Sequence, residues 1–116
     1  MALFFTYGTF MSDECRNFIL LDNGGQFIKA ATTSSKYKLL NFGSFPGIID
    51  GDKTVVGELY DIPEKALAVF DRIEGVPYLF DRKQVELEDG TFAIAYMFQN
   101  LSCDAVEINT GNWKNR

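Results

Sequence analysis

The sequence predicts a mixed α+β domain, built on a mostly antiparallel sheet or small barrel with two helices. Two segments carry apolar residues at helical spacing, and several short segments are rich in aromatic and β-branched residues, as strands are. The 116 residues are 47% apolar and include 11 Phe, which is enough for one core. No linker or repeat divides the chain, so residues 1–116 are expected to form a single domain.

The first part of the chain is expected to form a strand, a helix and two more strands. Residues 2–6 are an apolar strand, and residues 13–21 have the apolar spacing of a helix that stops at Asn23-Gly24-Gly25. Residues 26–35, rich in Ala, Thr and Ile, are a second strand. Residues 36–42 alternate polar and apolar side chains, as a half-exposed strand does.

The middle of the chain is expected to be a loop, a turn, a strand and a second helix. Residues 41–47 hold two Phe, two Gly and a Pro, which favours a loop, and residues 50–52 read as a turn before a strand over residues 54–61. Pro63 opens a helix, because proline suits a first helical position. That helix has an apolar face and stops at Gly75.

The last part of the chain is expected to be a β-hairpin and a tail. Strands over residues 79–88 and 91–99 are joined by Asp89-Gly90, a strong hairpin signal. The tail, residues 108–116, holds the single tryptophan, Trp113, which is expected to pack the tail against the domain.

Charge and hydropathy exclude several classes of partner. The net charge is -5 and no basic cluster is present, so binding to nucleic acid or to an anionic membrane surface is not expected. Apolar runs such as residues 18–21 are far too short to span a membrane. Residues 1–5 are too short, and lack the basic flank, for a secretory signal, which favours a cytoplasmic protein. The oligomeric state stays open.

The chain contains no histidine, and this restricts its chemistry. Ser-His and Cys-His nucleophile pairs, His-ligated zinc and an imidazole base are all excluded. Cys15 and Cys103 are expected to be reduced, partly buried thiols, and no metal or cofactor is expected. An enzyme with this sequence must therefore move protons with a carboxylate, lysine, tyrosine or thiolate.

Glu74 occupies an unfavourable place at the end of the second helix. The carboxyl end of a helix carries partial negative charge, which opposes an acidic side chain there. If Glu74 points inward beside Phe70, Tyr78 or Phe80, desolvation adds to this effect and raises its pKa toward that of a general acid or base. The alternative is a solvated acid at a helix end.

The stretch Thr6–Phe10 ends the first strand in an unusual turn. Gly8 can serve there in two ways: it can adopt a backbone conformation that other residues resist, or it can let another group approach the backbone. The sequence alone does not separate these explanations.

Five stretches, spread from the first strand to the last residues, form a recognisable set. They are Tyr7-Gly8-Thr9-Phe10, Phe45-Pro46-Gly47-Ile48, Val56-Gly57-Glu58-Leu59-Tyr60, Phe70-Asp71-Arg72-Ile73-Glu74-Gly75 and Gly111-Asn112-Trp113-Lys114. In order and spacing this set resembles the gamma-glutamylcyclotransferase-like family, which includes the gamma-glutamylamine cyclotransferases. The family's corresponding motifs are Tyr-Gly-Thr-Leu, an aromatic-Pro-small-apolar loop, Gly-Glu-Leu-Tyr, Leu-Asp-x-x-Glu-Gly and Gly-Asp-Trp-Arg.

The resemblance implies the family's fold and a cyclising reaction. A small-molecule gamma-glutamyl amine would fold so that its α-amino nitrogen attacks its own side-chain carbonyl, giving 5-oxoproline and a free amine. Glu74 would be the catalytic base and acid, and Tyr7, Gly8, Thr9 and Phe10 would bind the substrate. Backbone N–H groups around Gly8, Thr9 and Phe10 are the candidate donors to the oxyanion. The sequence does not identify the leaving amine. Glutathione-type substrates are less favoured, because so short a chain has no extra segment to hold a dipeptide tail.

Several residues depart from the family pattern or carry open alternatives. Phe10 replaces the usual Leu, and Phe80 lacks the hydroxyl of the family's usual Tyr. Tyr78 would compensate as a substrate-binding residue if the strand began early enough to include it. Tyr96 would close over the substrate or serve as a core tyrosine. Arg82 would meet a substrate carboxylate or form a surface ion pair.

Two further functions compete with the cyclotransferase prediction. The first is a ligand-binding or interaction protein that keeps the fold without turnover, which the missing hydroxyl at Phe80 favours and the presence of Glu74 opposes. The second, weaker one is a related acyl or amide chemistry on another substrate, since a fold does not fix a function.

Overall fold

Eight strands, two α-helices and a short 3-10 helix make up the computed structural model, which describes residues 1–99 and 104–116. In chain order they are β1 (Ala2–Thr6), α1 (Asn17–Asp22), β2 (Gln26–Thr32), β3 (Tyr37–Asn41), β4 (Pro46–Asp50), β5 (Val56–Ile62), α2 (Ala66–Glu74), β6 (Phe80–Glu86), β7 (Phe92–Phe98) and β8 (Val106–Glu107), followed by the 3-10 helix Trp113–Asn115. The predicted mixed α+β class with two helices is confirmed. No helix in the described part of the chain combines the length and apolar character that crossing a bilayer needs.

The strands form one curled sheet in which β7 is the branch point. The order is β2-β5-β1-β7-β4-β3-β8, with β6 also paired to β7. Pairing is antiparallel except where β7 meets β1, at Phe4 and Ile94, and where it meets β4, at Ile48 and Met97. Since β6 runs along the whole of one edge of β7, β1 and β4 share its other edge and diverge from each other there.

Strand β4 was not predicted, and its composition explains why. Pro46 and Gly47 are depleted from strands, and together with Phe42 and Gly43 they indicated a loop. Pro46 is the first residue of β4, a position where a missing N–H is tolerated, and it pairs with Asn41 of β3. Four strands therefore separate the two helices, instead of the three that were predicted.

Helix α1 is shorter than predicted because the chain before it is a series of turns. The helix covers Asn17–Asp22 and not residues 13–21. Asp13 has a φ of 64°, which is incompatible with a right-handed helix, and the Arg16 N–H donates to the Thr9 carbonyl at 2.9 Å. The turn segment, residues 8–16, thus folds back on itself beside the end of β1.

Helix α2 ends where the sequence predicted, but it begins at Ala66 and not at Pro63, because β5 continues to Ile62 and the chain turns over residues 64–65 before the helix. The hairpin that follows α2 agrees with its turn signal. Ala66, Leu67 and Phe70 are the buried residues of α2, and Gly75 ends the helix in the left-handed conformation, with a φ of 68°. Strands β6 and β7 pair over their full lengths, and Gly90 in the connecting turn has a φ of 87°. Glu74 is the last residue of α2, as predicted.

Two apolar clusters lie on opposite faces of the sheet. Because side chains alternate along β1, Phe4 belongs to the cluster under α2, and Phe5 belongs to the other cluster, with Trp113 of the tail. Trp113 is buried and its indole N–H donates to a Glu14 carboxylate oxygen at 3.0 Å. The predicted packing of the tail by Trp113 is confirmed.

Candidate active site

A cavity of about 380 Å³ lies where β1 and β4 separate along the edge of β7. Its volume falls within the range of pockets that bind small molecules. Four segments contribute to it: the end of β1 with the turn segment, the start of β4, the carboxyl end of α2 with the start of β6, and β7. The lining residues are Phe4, Phe5, Thr6, Tyr7, Gly8, Thr9, Phe10, Cys15, Arg16, Ser44, Phe45, Pro46, Ile73, Glu74, Leu79, Phe80 and Tyr96.

Gly8 is required by close packing and not by an unusual backbone angle. Its φ is not positive, so other residues could adopt its conformation. A Cβ atom at this position would lie 2.6 Å from Cγ and 3.0 Å from Cδ of Pro46. Of the two explanations that the sequence left open, close approach is the one confirmed, and the approaching group is the ring at the start of β4.

Gly8, Thr9 and Phe10 line the cavity, and their backbone N–H groups have no acceptor among the described residues. The ladder between β1 and β5 ends at Thr6, and none of the three N–H groups donates to any acceptor in residues 1–99 or 104–116. Gly8 and Phe10 are buried. Buried N–H groups normally have partners, so this stretch is suited to an oxygen atom supplied by a ligand.

Glu58 of β5 fixes the turn segment that carries these N–H groups. Its carboxylate accepts from the Ser12 N–H at 2.7 Å, from the Ser12 hydroxyl at 2.6 Å and from the Tyr60 hydroxyl at 3.0 Å. Asn17 donates to the Phe10 carbonyl at 2.8 Å and to the Tyr60 hydroxyl at 3.2 Å. Charge-assisted bonds of this kind hold a loop that its own backbone bonds would not.

Tyr7 joins the three strands that surround the cavity. Its hydroxyl donates to the carbonyl of Tyr96 on β7 and accepts from the Ile48 N–H of β4 at 3.2 Å. Burial, followed by the negative charge of Glu74, raises the pKa of the Tyr7 hydroxyl well above its ordinary value. The hydroxyl therefore stays protonated and structural, while the residue also lines the cavity.

Glu74 is half-buried and lines the same cavity from the end of α2. Burial raises the pKa of its carboxyl from 4.5 to about 7, although the positive charge of Arg16 opposes this rise. The direction agrees with the desolvation predicted from the sequence. A carboxyl with this pKa can accept and return a proton near neutral pH.

Arg16 was not identified from the sequence. It lines the cavity at the start of α1, and with Glu74 it is one of two charged residues in the lining described above. Its guanidinium forms no ion pair with a carboxylate of residues 1–99 or 104–116. No local signal marks it, because its position depends on how the turn segment folds back.

Tyr96 and Arg82 meet at one carboxylate beside the cavity. The Tyr96 hydroxyl donates to an Asp71 carboxylate oxygen at 2.7 Å, and Arg82 pairs with the same oxygen at 3.0 Å. Burial, reinforced by the bond to Asp71, raises the pKa of Tyr96. Tyr96 lines the cavity and its contact with substrate stays a prediction, whereas Arg82 forms the ion pair that was its alternative interpretation.

The two phenylalanines that depart from the family pattern both line the cavity and are buried. The Phe10 ring packs 5.1 Å from Phe70 and 6.2 Å from Phe4, between centroids, and so anchors the turn segment to the core under α2. Phe80 packs edge-on against Phe98 at 5.3 Å. The wall that these rings form is apolar, without the hydroxyl that a tyrosine at position 80 would bring.

Tyr78 lies outside the cavity, so the structure does not support its predicted substrate-binding role. Its side chain is 86% exposed, and it is absent from the cavity lining. The condition for its role was an early start of the strand, but β6 begins at Phe80. Tyr78 instead belongs to the turn after α2, where its N–H donates to the Gly75 carbonyl at 2.9 Å.

The cysteine predictions have different outcomes. Cys15 is a free thiol, but it is exposed at the cavity rim and not partly buried as predicted. Cys103 lies outside the described residues. Within residues 1–99 and 104–116, no cluster of three or more acidic or cysteine side chains is placed to hold a metal ion.

Together these residues provide a proton carrier, a set of backbone donors and an apolar wall in one cavity. Such a site suits a reaction in which the substrate supplies its own nucleophile, because within residues 1–99 and 104–116 no serine, cysteine or lysine of the lining is hydrogen-bonded to a base. The N–H groups of residues 8–10 could donate hydrogen bonds to a developing oxyanion, and the Glu74 carboxylate could accept a proton.

Comparisons with known proteins identify the family of the chain. Residues 4–115 match the family model described as "Gamma-glutamyl cyclotransferase, AIG2-like". A Vibrio cholerae serotype O1 protein, provisionally named as a gamma-glutamylcyclotransferase, is 32% identical over 98% of this chain and 96% of its own length. Gamma-glutamylaminecyclotransferase B of Danio rerio is 30% identical over 76% of this chain and 50% of its own length.

A solved structure gives the same result for the fold. The crystal structure of a uropathogenic E. coli-specific protein superposes with a TM-score of 0.87 at 24% identity, over 97% of this chain and 92% of that one. The family model covers nearly the whole chain, including the turn segment and the end of α2. The chain therefore belongs to the AIG2-like gamma-glutamyl cyclotransferase family.

Proposed function

We propose that the chain is a gamma-glutamylamine cyclotransferase that converts a gamma-glutamyl amine to 5-oxoproline and a free amine. The observation that carries the proposal is the joint placement of Glu74 and the free N–H groups of Gly8, Thr9 and Phe10 around one cavity. The name of the Danio rerio relative supports an amine as the leaving group. So does the cavity size, which suits a small substrate.

The reaction can be written with Glu74 as the proton carrier. Glu74 takes a proton from the substrate α-ammonium, and the freed amine nitrogen attacks the γ-carbonyl carbon to form a five-membered ring. The carbonyl oxygen becomes an oxyanion, which the N–H groups of residues 8–10 stabilise; each such donor contributes about 3 kcal/mol. Glu74 then returns this proton to the departing nitrogen as the carbon–nitrogen bond breaks. The ring nitrogen still carries one hydrogen too many for an amide, and Glu74 carries this second proton to the released amine, so the products are 5-oxoproline and an ammonium ion.

Closure of the ring is intramolecular, so the cavity need only hold the substrate in a folded shape. Effects of orientation alone reach roughly 7–11 kcal/mol in favourable cases. The apolar wall of Phe10, Phe80 and Tyr96 would supply this shape by excluding extended conformations and water.

The experiment is a panel of gamma-glutamyl amines incubated with purified protein, with 5-oxoproline as the measured product. Glu74→Gln keeps the shape of the side chain and removes its proton transfer, so kcat should fall about 10²–10⁴-fold. Glu64→Gln is the matched control, because Glu64 is an exposed acid just before α2 and does not line the cavity. Turnover that survives Glu74→Gln would remove Glu74 from its role.

The panel also separates the enzyme from a binding protein of the same fold. If no gamma-glutamyl amine is turned over but one binds in the cavity, the binding function that Phe80 favours replaces the proposal.

For an active enzyme, kcat/KM should rise with pH around the raised pKa of Glu74, about 7, because only the ionised carboxylate accepts a proton.

A further inference from the structure

Arg16 is a cavity residue that the proposed reaction, as written above, does not use. It is half-buried, and its guanidinium makes no ion pair within the described residues. Other cations whose partners the structure gives, such as Arg82 with Asp71 and Lys36 with Glu86, are paired at 3.0 and 2.6 Å. An unpaired guanidinium in a cavity wall is suited to an anionic group on a ligand.

We propose that Arg16 binds the α-carboxylate of the substrate and so selects gamma-glutamyl compounds over analogues without that group. This inference rests on the proposed function. It names the residue that recognises the gamma-glutamyl half of the substrate and leaves the departing amine free to vary.

The charges around the cavity support this assignment. The α-carboxylate and the α-ammonium of a gamma-glutamyl group are attached to the same carbon, so binding the ammonium at Glu74 also places the carboxylate near Glu74. Two carboxylates in a half-buried site repel each other strongly unless a cation lies between or beside them. Arg16 lies close enough to Glu74 for its charge to oppose the burial-driven rise of the Glu74 pKa.

The way Arg16 is held also supports the assignment. Its backbone N–H donates to the Thr9 carbonyl at 2.9 Å, so Arg16 and the candidate oxyanion donors belong to one turn segment. A substrate that places its carbonyl oxygen at residues 8–10 therefore has a guanidinium available from the same segment. The backbone bond does not depend on the side chain, so substitutions at Arg16 should leave the turn in place.

The test compares two substrates that differ only in the α-carboxylate. One is the gamma-glutamyl amine of the panel that the wild type turns over fastest, and the other is its 4-aminobutyryl counterpart, which closes to 2-pyrrolidinone by the same attack. Wild type is expected to favour the first by roughly 100-fold in kcat/KM, and Arg16→Gln to reduce this preference about 10-fold or more. Arg16→Lys keeps the charge without the planar fork and should be intermediate.

Arg72→Gln is the matched control. Arg72 is exposed on α2 and does not line the cavity, so this substitution removes the same charge without changing the site. It should keep the wild-type preference. If Arg16→Gln lowers turnover of both substrates by the same factor, Arg16 has a structural role and the inference fails.

A binding measurement keeps this inference separate from the proposed function. Calorimetric titration with 5-oxoproline and with 2-pyrrolidinone requires no turnover. If the wild type is inactive but binds 5-oxoproline at least about 10-fold more tightly than Arg16→Gln does, the carboxylate site stands although the enzyme proposal fails. Equal binding by the two proteins, or none by the wild type, overturns the carboxylate site.

Discussion

Replacement of Glu74 by glutamine is expected to lower kcat about 10²–10⁴-fold and, at the same time, to stabilise the folded protein above neutral pH. The carboxyl of Glu74 has an ordinary pKa of 4.5 and a folded pKa of about 7, because burial disfavours its charged form. The difference, converted at about 1.36 kcal/mol per pKa unit, is about 3 kcal/mol. This is the free energy that the folded state loses by holding an ionised carboxylate in the cavity.

The sign follows from proton binding. Below pH 4.5 Glu74 is protonated in both the folded and the unfolded protein, so its contribution to stability is fully present. Between pH 4.5 and about 7 the folded state binds more protons than the unfolded state, and the free energy of unfolding falls as the pH rises. Above that window the loss is complete at about 3 kcal/mol. Glutamine resembles the protonated acid at every pH and does not incur this loss.

The assay is urea unfolding of wild type and Glu74→Gln at pH 4 and at pH 8. The two proteins should have similar stability at pH 4, and the variant should be more stable by about 3 kcal/mol at pH 8, or roughly 10 °C in Tm. Glu64→Gln, at an exposed acid, should differ from wild type by no more than about 0.5 kcal/mol. A Glu74→Gln difference that is equal at the two pH values would refute the argument that Glu74 is desolvated.

Two other changes test the geometry of the turn segment. Gly8→Ala would place a Cβ atom 2.6 Å from Cγ of Pro46, and thermal unfolding should report a loss of about 1–3 kcal/mol; an unchanged Tm would show that β4 can move away. Glu58→Gln removes the charge that accepts from Ser12 and Tyr60, so urea unfolding should report a loss of about 2 kcal/mol and 5-oxoproline formation should fall. Full activity in that variant would show that Glu58 does not position the N–H groups of residues 8–10.

The features that sequence predicted well are those set by local chemistry. Helix α2 ends where Gly75 adopts a positive φ, and the hairpin turns at Gly90 for the same reason. Glu74 could be singled out because its position relative to Gly75 along the chain fixes its place at the helix end. The desolvation of Glu74 follows from packing that the apolar residues around it already indicated.

The features that sequence missed depend on contacts between distant segments. Strand β4 begins with Pro46-Gly47, and its pairing with β3 and β7 overrides the local preference for a loop. Arg16 reaches the cavity because the turn segment folds back, and the positive φ of Asp13 permits this fold. No local sequence pattern predicts it. Tyr78 fails as a site residue because β6 begins at Phe80, two residues beyond it.

The distribution of satisfied and unsatisfied polar groups argues that the cavity is a built site and not a packing defect. Three polar side chains around it are hydrogen-bonded: Tyr7 links β4 to β7, Glu58 holds the turn segment, and Tyr96 donates to Asp71. The desolvated carboxyl of Glu74 and the residues whose N–H groups lack protein acceptors, Gly8, Thr9 and Phe10, belong to the cavity lining, while the buried Ser34 hydroxyl without a partner lies outside it. In a packing defect, buried groups without partners would not be concentrated in one place. A ligand that offers an ammonium and a carbonyl oxygen would pair with the Glu74 carboxylate and with the N–H groups of residues 8–10.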